Sequence, residues 1–341
     1  MRFGGHETFA IREGWLHKGL KLLVESPELL LDENACDHLG VGRNMAKSIR
    51  HWLVAAGLAR PCHDFKIGKK SSLTTTELGD LVWRHDRYFT EPGVWWALHV
   101  NLVNCAEHAL TWTWFFNSFN FDRFDRAVCL EGLRRNLELS KQRMPNPRTL
   151  ERDVACLLAS YARVIPAPDD DPEEGNDCPL RELGLLSHFK TSGYYQTHQH
   201  RKEIPAELFG YALAAAFRDA AAGQGATDIT LLDAARAPGG PGRAFVLTTE
   251  SLYEVATQAE SNLPGGDLEI VGLAGNRALR ITQRPPLDWL KAYYLRLEKK
   301  DRRTKGTTQN LSSSIGCSHG NHDQCESVSD RSGSHVLSLG C

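Results

Sequence analysis

The chain has 341 residues, 41% of them hydrophobic and 24% charged, ordinary proportions for a globular protein that can bury a sizeable core in two or three domains. Forty basic residues stand against 42 acidic ones for a formal net charge of −2. The molecule as a whole is therefore no polycation, and contact with nucleic acid has to come from a local basic surface.

In chain order, residues 33–39 read as a short helix, Gly40-Val41-Gly42 as a tight turn, and residues 43–57 as a longer helix stopped by Gly57. The longer helix keeps Met45, Ile49, Trp52, Leu53 and Ala56 on one face. Its other face is expected to show Arg43, Asn44, Lys47, Ser48, Arg50 and His51. A strand opens at Leu58 and Ala59, Lys66, Lys69 and Lys70 sit around Gly68 in a turn, and Leu73 resumes the sheet. Thr74 to Thr76 then cap a helix that runs through Leu78, Leu81 and Val82. Residues 33–81 are thus a predicted winged helix-turn-helix.

From Val41 to Lys70 the basic residues are Arg43, Lys47, Arg50, Arg60, Lys66, Lys69 and Lys70, against Asp64 alone. That asymmetry is the footprint a phosphate backbone needs. Arg43, Asn44 and Lys47, near the helix start, are the predicted base readers, flanked by Arg50 and His51; Lys66, Lys69 and Lys70 are predicted phosphate contacts. The same pattern also fits a basic, solvated face in a module that binds protein.

Residues 90–163 are strongly helical, with aromatic and leucine spacings near three and four. Pro145 and Pro147 are expected to break the run, with Thr149 capping a helix over 150–161. An acidic, proline-rich loop follows over 166–177. Helices resume from Pro179 and include an alanine-rich one over 206–222; around Tyr194 to His200 the chain also reads as helical.

Residues 231–235 form a short helix, 238–242 a turn, 245–247 a short strand and 252–259 a helix. Residues 268–271 and 277–281 alternate around Ala274-Gly275-Asn276 as a hairpin. Helices followed by a hairpin fit either a second winged-helix-like module or a plain α+β subdomain. A last helix covers 287–300, and the Ser-, Gly- and Asn-rich tail over 301–341 is expected to be disordered.

The expected fold is therefore mainly α with small β wings (α+β). The predicted domains are 1–88, the winged helix-turn-helix; 89–225, helical; 226–300, winged-helix-like; and 301–341, the tail. The longest apolar stretch, 94–116, is broken by His99, Asn101, Asn104, Glu107 and His108, so it is no membrane span. The opening residues lack the apolar core of a signal peptide. Nine scattered cysteines without a C-x-x-C pair predict reduced thiols. Together these predict a cytoplasmic protein.

The opening Phe3-Gly4-Gly5-His6-Glu7-Thr8-Phe9, with Arg12 and Trp15-Leu16-His17-Lys18-Gly19, resembles a domain-of-unknown-function family of bacterial DNA phosphorothioation operons. The similarity continues through Leu39-Gly40-Val41-Gly42-Arg43-Asn44-Met45, Trp112-Thr113-Trp114-Phe115-Phe116-Asn117 and Gly272-Leu273-Ala274-Gly275-Asn276-Arg277, reaching about residue 300. The resemblance implies DNA nicking that opens a strand for sulfur insertion in an antiphage defence system. It also implies work beside a partner ATPase, a cysteine desulfurase and a sulfur-activating enzyme. It supplies no catalytic residues.

Nicking needs a metal-activated water or an attacking side chain. The first candidates are His6 and Glu7, with Arg12 to hold phosphate, and a divalent ion, Mg or Mn, as cofactor. Against a joint role, neighbours in a strand point to opposite faces, and His6 and Glu7 can equally bridge the first helix to the core. Tyr194-Tyr195 with His198-Gln199-His200 is a weaker candidate for a tyrosine nickase, and Asp267 with Glu269 a weaker one for a metal nuclease. Cys317, His319, His322 and Cys325 lack the spacing of a zinc knuckle.

The reading is a protein that binds double-stranded DNA and, by resemblance, nicks it, with a homodimer as one arrangement. The alternatives are a non-catalytic specificity subunit or transcription regulator that recruits the modifying enzymes, and a scaffold whose winged helices bind protein only.

Overall fold

The structure, a computed structural model, describes residues 3–67, 70–167, 178–273 and 275–315, the side chains of 63–71, 301 and 303–315 excepted. The acidic loop expected at 166–177 and the tail cysteines and histidines fall mostly or wholly outside the described residues. Met1–Leu295 make one compact unit and Arg296–Cys341 a second.

The fold is mixed α+β. Helices α1 (Trp15–Glu25), α2 (Ala35–Leu39) and α3 (Arg43–Ala55) lead into the antiparallel strands β1 (Ala59–Ile67) and β2 (Lys70–Thr75), followed by α4 (Glu77–His85). The Thr76 side chain caps α4 by accepting the Gly79 N–H. Helices α5 (Pro92–Asn104), α6 (Leu110–Ser118), α7 (Arg126–Leu139) and α8 (Pro147–Tyr161) form the centre, with β3 (Arg123–Phe124) ahead of α7. Helix α5 is buried on nearly every side, from Val94 and Trp96 to Leu102, as an apolar helix must be.

A four-stranded sheet has the order β3-β6-β5-β4, from β4 (Ala162–Ile165), β5 (Leu186–Phe189) and β6 (Tyr194–Thr197). The chain continues through α9 (Ala206–Ala216), α10 (Arg218–Ala221), β7 (Ala226–Thr230), α11 (Leu231–Arg236), α12 (Pro241–Ala244), α13 (Thr249–Asn262), β8 (Leu268–Leu273) and β9 (Asn276–Thr282). These strands pair antiparallel in the order β7-β9-β8, and the expected hairpin is β8–β9. Helix α14 (Pro286–Ile315) closes the described chain.

Several local expectations are corrected. Helix α8 starts at Pro147, not after Thr149, because proline suits the first helical position and the Asn146 side chain accepts the Arg148 N–H at 2.9 Å. Residues 245–247 are not a strand. The Phe245 and Leu247 N–H groups return to Pro241 and Gly242 at 2.9 and 2.8 Å, so they close α12 rather than join a sheet. Tyr194 to Thr197 form strand β6, not a helix, because β3 and β5 bracket them with backbone partners. The alanine-rich run breaks at Phe217 into α9 and α10. Residues 301–315, expected to be disordered, continue α14.

Candidate nucleic-acid interface

Helix α3 is seated by α1 and by the segment before it. Gly19 of α1 admits this approach: a Cβ there would lie 2.5 Å from the Ile49 methyl. Ile49, Trp52 and Leu53 are fully buried, and the Trp52 indole donates to the Phe9 carbonyl at 3.0 Å. Gly40, in the left-handed region at φ 63°, ends α2 and turns the chain into α3.

On this seated helix Arg43, Asn44 and Lys47 are exposed together, as their spacing requires. Lys47 reaches the Asn44 amide oxygen at 3.4 Å and the Glu7 carboxylate at 3.7 Å. Arg50 is half-buried and donates to the Leu30 carbonyl at 3.4 Å. Ser48 and His51 do not lie on the outward face: both are buried, at 0% and 5% exposure. The N-terminal segment covers His51, and Gly5 lies so close that a Cβ would sit 2.4 Å from His51 Nδ1. Lys47, Arg50 and His51 border a cleft of about 350 Å³ with Pro61 and Leu73 of the β1–β2 hairpin. Lys66 and Lys70 occupy strand positions with their side chains outside the described residues, and Lys69 lies outside them altogether.

The three catalytic candidates do not converge. Glu7 N–H to Gly4 O at 3.1 Å and Phe9 N–H to His6 O at 2.8 Å make the opening motif two successive tight turns rather than a strand. His6 is 1% exposed, within ring contact of His51, Trp52 and Trp112. The Thr8 N–H donates to His6 Nδ1 at 3.1 Å, which leaves Nε2–H to donate to Asp153 Oδ1 at 2.9 Å. Gly4 N–H and the Thr111 hydroxyl also donate to Asp153. Glu7 instead faces Lys47, while the Arg12 guanidinium lies over the Phe9 and Trp15 rings at 5.7 and 5.4 Å. Sequence reasoning missed Asp153, an acidic residue on an amphipathic helix with no local mark of its partner.

The tyrosine and histidines of 194–200 sit at the sheet. Tyr195 stacks on His188 at 4.3 Å, and burial raises its hydroxyl above the usual value. His198 Nε2 lies 2.7 Å from Ser187 Oγ; burial first, then His200, Lys202 and Arg163, lower its pKa. Asp267 is paired with Arg284, on a loop before β8. Among the described residues no group of three or more His, Cys, Asp or Glu is arranged to hold a metal ion. No helix of the described chain is long and apolar enough to cross a membrane.

A family model matches residues 3–294 and defines the class: the chain belongs to DUF4007, a family of proteins of unknown function. The chain is also similar to SspB. A solved structure of magnesium ion-bound SspB is 29% identical with a TM-score of 0.73, and a second SspB structure is 30% identical with a TM-score of 0.71. Each comparison covers 86% of this chain and 87% of the other. No curated protein matches the chain.

Proposed function

We propose that this chain is the DNA-holding and nicking component of a bacterial phosphorothioation defence system. The observation that carries the DNA-holding part is the exposed trio Arg43, Asn44 and Lys47 on a helix locked in place by buried Ile49, Trp52 and Leu53. A rigid helix presenting forked and amide donors suits a major groove, with the β1–β2 hairpin as the wing against phosphate. In this reading α2, the Gly40 turn and α3 are a helix-turn-helix. The succession α9–α10, β7, α11, α12, α13, β8, β9, with β9 central in its sheet, is a second winged-helix-like module.

The nicking part rests on the likeness to SspB. In that reading the protein is cytoplasmic and works on duplex DNA beside an ATPase, a cysteine desulfurase and a sulfur-activating enzyme, with a homodimer as its assembly. Mg or Mn would be the cofactor. The donor set offers no protein cage for such an ion among the described residues, so no step is assigned to it.

A second reading, a specificity subunit that binds DNA and recruits the enzymes, is favoured by one observation. His6 is sealed against Asp153, away from Arg12. Supercoiled plasmid incubated with the purified protein, with and without Mg or Mn, separates the two. Open circles are expected from the first reading; salt-sensitive duplex binding without open circles supports the second.

A further inference from the structure

A cleft of about 370 Å³ opens between the end of α6, the 235–243 segment and the start of α13. Its volume falls in the range of small-ligand sites, about 300–1,000 Å³. Phe115 and Phe119, stacked at 5.2 Å, form its floor, and Phe121, 56% exposed, extends the aromatic row to the rim. Phe121 thus presents an aromatic ring to solvent at the mouth of the cleft, with Phe119 5.2 Å behind it.

Two arginines flank the row. Arg236 is exposed, and neither it nor Arg243 has a carboxylate partner among the described residues. Arg243 donates to the Asn120 amide oxygen at 2.6 Å, while its Nε is buried without a hydrogen-bond partner. Asp122, the one carboxylate lining the cleft among the described residues, already accepts from the Gln199 amide. The start of α13 at Thr248 and Thr249 adds the positive end of a helix dipole.

Helix α12, which carries Arg243, and the residues after it are held from behind. His99 donates from Nε2 to the Ala244 carbonyl at 2.6 Å, and Lys202 Nζ donates to the Val246 carbonyl at 3.2 Å. Val246 is kept at φ 52°, a left-handed conformation costly for a β-branched residue. Gly242 is required there, since a Cβ would lie 2.4 Å from the Ala235 carbonyl oxygen.

We infer that this cleft binds one nucleotide of single-stranded DNA, with the base stacked on Phe121 and the phosphate held by Arg236 and Arg243. Guanidinium forks match phosphate, and base stacking on an aromatic ring tolerates any sequence. A duplex does not enter a pocket of this size. The choice of DNA rests on the proposed function; the nucleotide chemistry rests on the cleft alone.

The test is fluorescence anisotropy of the full chain with a labelled thymidine octanucleotide and, separately, a labelled duplex. The double variant Arg236→Ala/Arg243→Ala should weaken octanucleotide binding about tenfold or more and leave duplex binding unchanged. Phe121→Ala should weaken it at least about fivefold, and should have no effect on an octanucleotide lacking bases. Arg43→Glu/Lys47→Glu should do the reverse, lowering duplex affinity alone, so the two readings fail separately. Should Arg243→Ala disturb folding, the exposed Arg236 and Phe121 variants carry the test. Equal octanucleotide binding by all cleft variants, or an equal loss for strand and duplex, overturns the inference. Displacement of the octanucleotide by equimolar thymidine monophosphate overturns the assignment to a strand in favour of a free nucleotide.

Discussion

His6 and Asp153, 147 residues apart in sequence, meet at 2.9 Å inside the protein and tie the opening turns to α8. Asp153 collects three donors, from Gly4, His6 and Thr111. Removing the imidazole leaves a buried carboxylate short of one donor and opens space beside Trp52 and Trp112. His6→Ala is expected to destabilise by about 3 kcal/mol. Thermal unfolding should show a fall of several degrees or more. A variant that melts with the wild type would remove this structural role.

The α3 surface makes a different prediction, because Arg43 and Lys47 are exposed and bury nothing. Lys47→Ala and Arg43→Ala should leave the melting temperature within about 1 °C, as surface changes of under about 0.5 kcal/mol do. Duplex affinity should fall, and the slope of log K against log salt should shrink by about 1 for each phosphate that the variant no longer neutralises. Titrations at several salt concentrations that returned the wild-type slope would remove α3 from the interface.

Acid sensitivity follows from His99. Burial lowers its pKa from 6.5 to about 4, with Lys202 adding to the fall and the Ala244 bond opposing it. Between those two values the unfolded chain takes up a proton that the native protein refuses. Stability is therefore full above pH 6.5 and declines as pH falls to about 4, by up to about 3 kcal/mol. His99→Gln should flatten that part of the curve in urea unfolding at stepped pH, at the expense of lower stability at pH 7. An unchanged slope between pH 6.5 and 4 would show that His99 is not the group responsible.

Gly242→Ala places a methyl 2.4 Å from the Ala235 carbonyl oxygen and 2.5 Å from its Cα. Backbone cannot move aside as a flexible side chain does, so α11 and α12 must part. The expected loss is about 1–3 kcal/mol, measured by chemical unfolding. Octanucleotide binding should weaken with it, since α12 also carries Arg243. Wild-type stability in this variant would show that the close approach is dispensable.

The N-terminal third shows how far sequence reaches. The limits of α3, its stop near Gly57 and the exposure of Arg43, Asn44 and Lys47 were all readable from a 3.6-residue period. The burial of His51 was not, because the covering segment at Gly5 and His6 lies over forty residues earlier. The β8–β9 hairpin was legible from its own alternation around Gly275. Strand β6 was not, because its polar residues become a strand only between β3 and β5.

Sequence alone thus determined the family likeness, the amphipathic helices and the basic face of α3, all features whose information lies within a few turns of chain. Tertiary structure decided which polar groups are sealed and which converge. It buried His6 on Asp153, set His99 behind Ala244 and brought Asn120 to Arg243 across 123 residues. The physical reason is that burial and hydrogen bonding depend on what packs opposite, and in each case the partner comes from a distant segment.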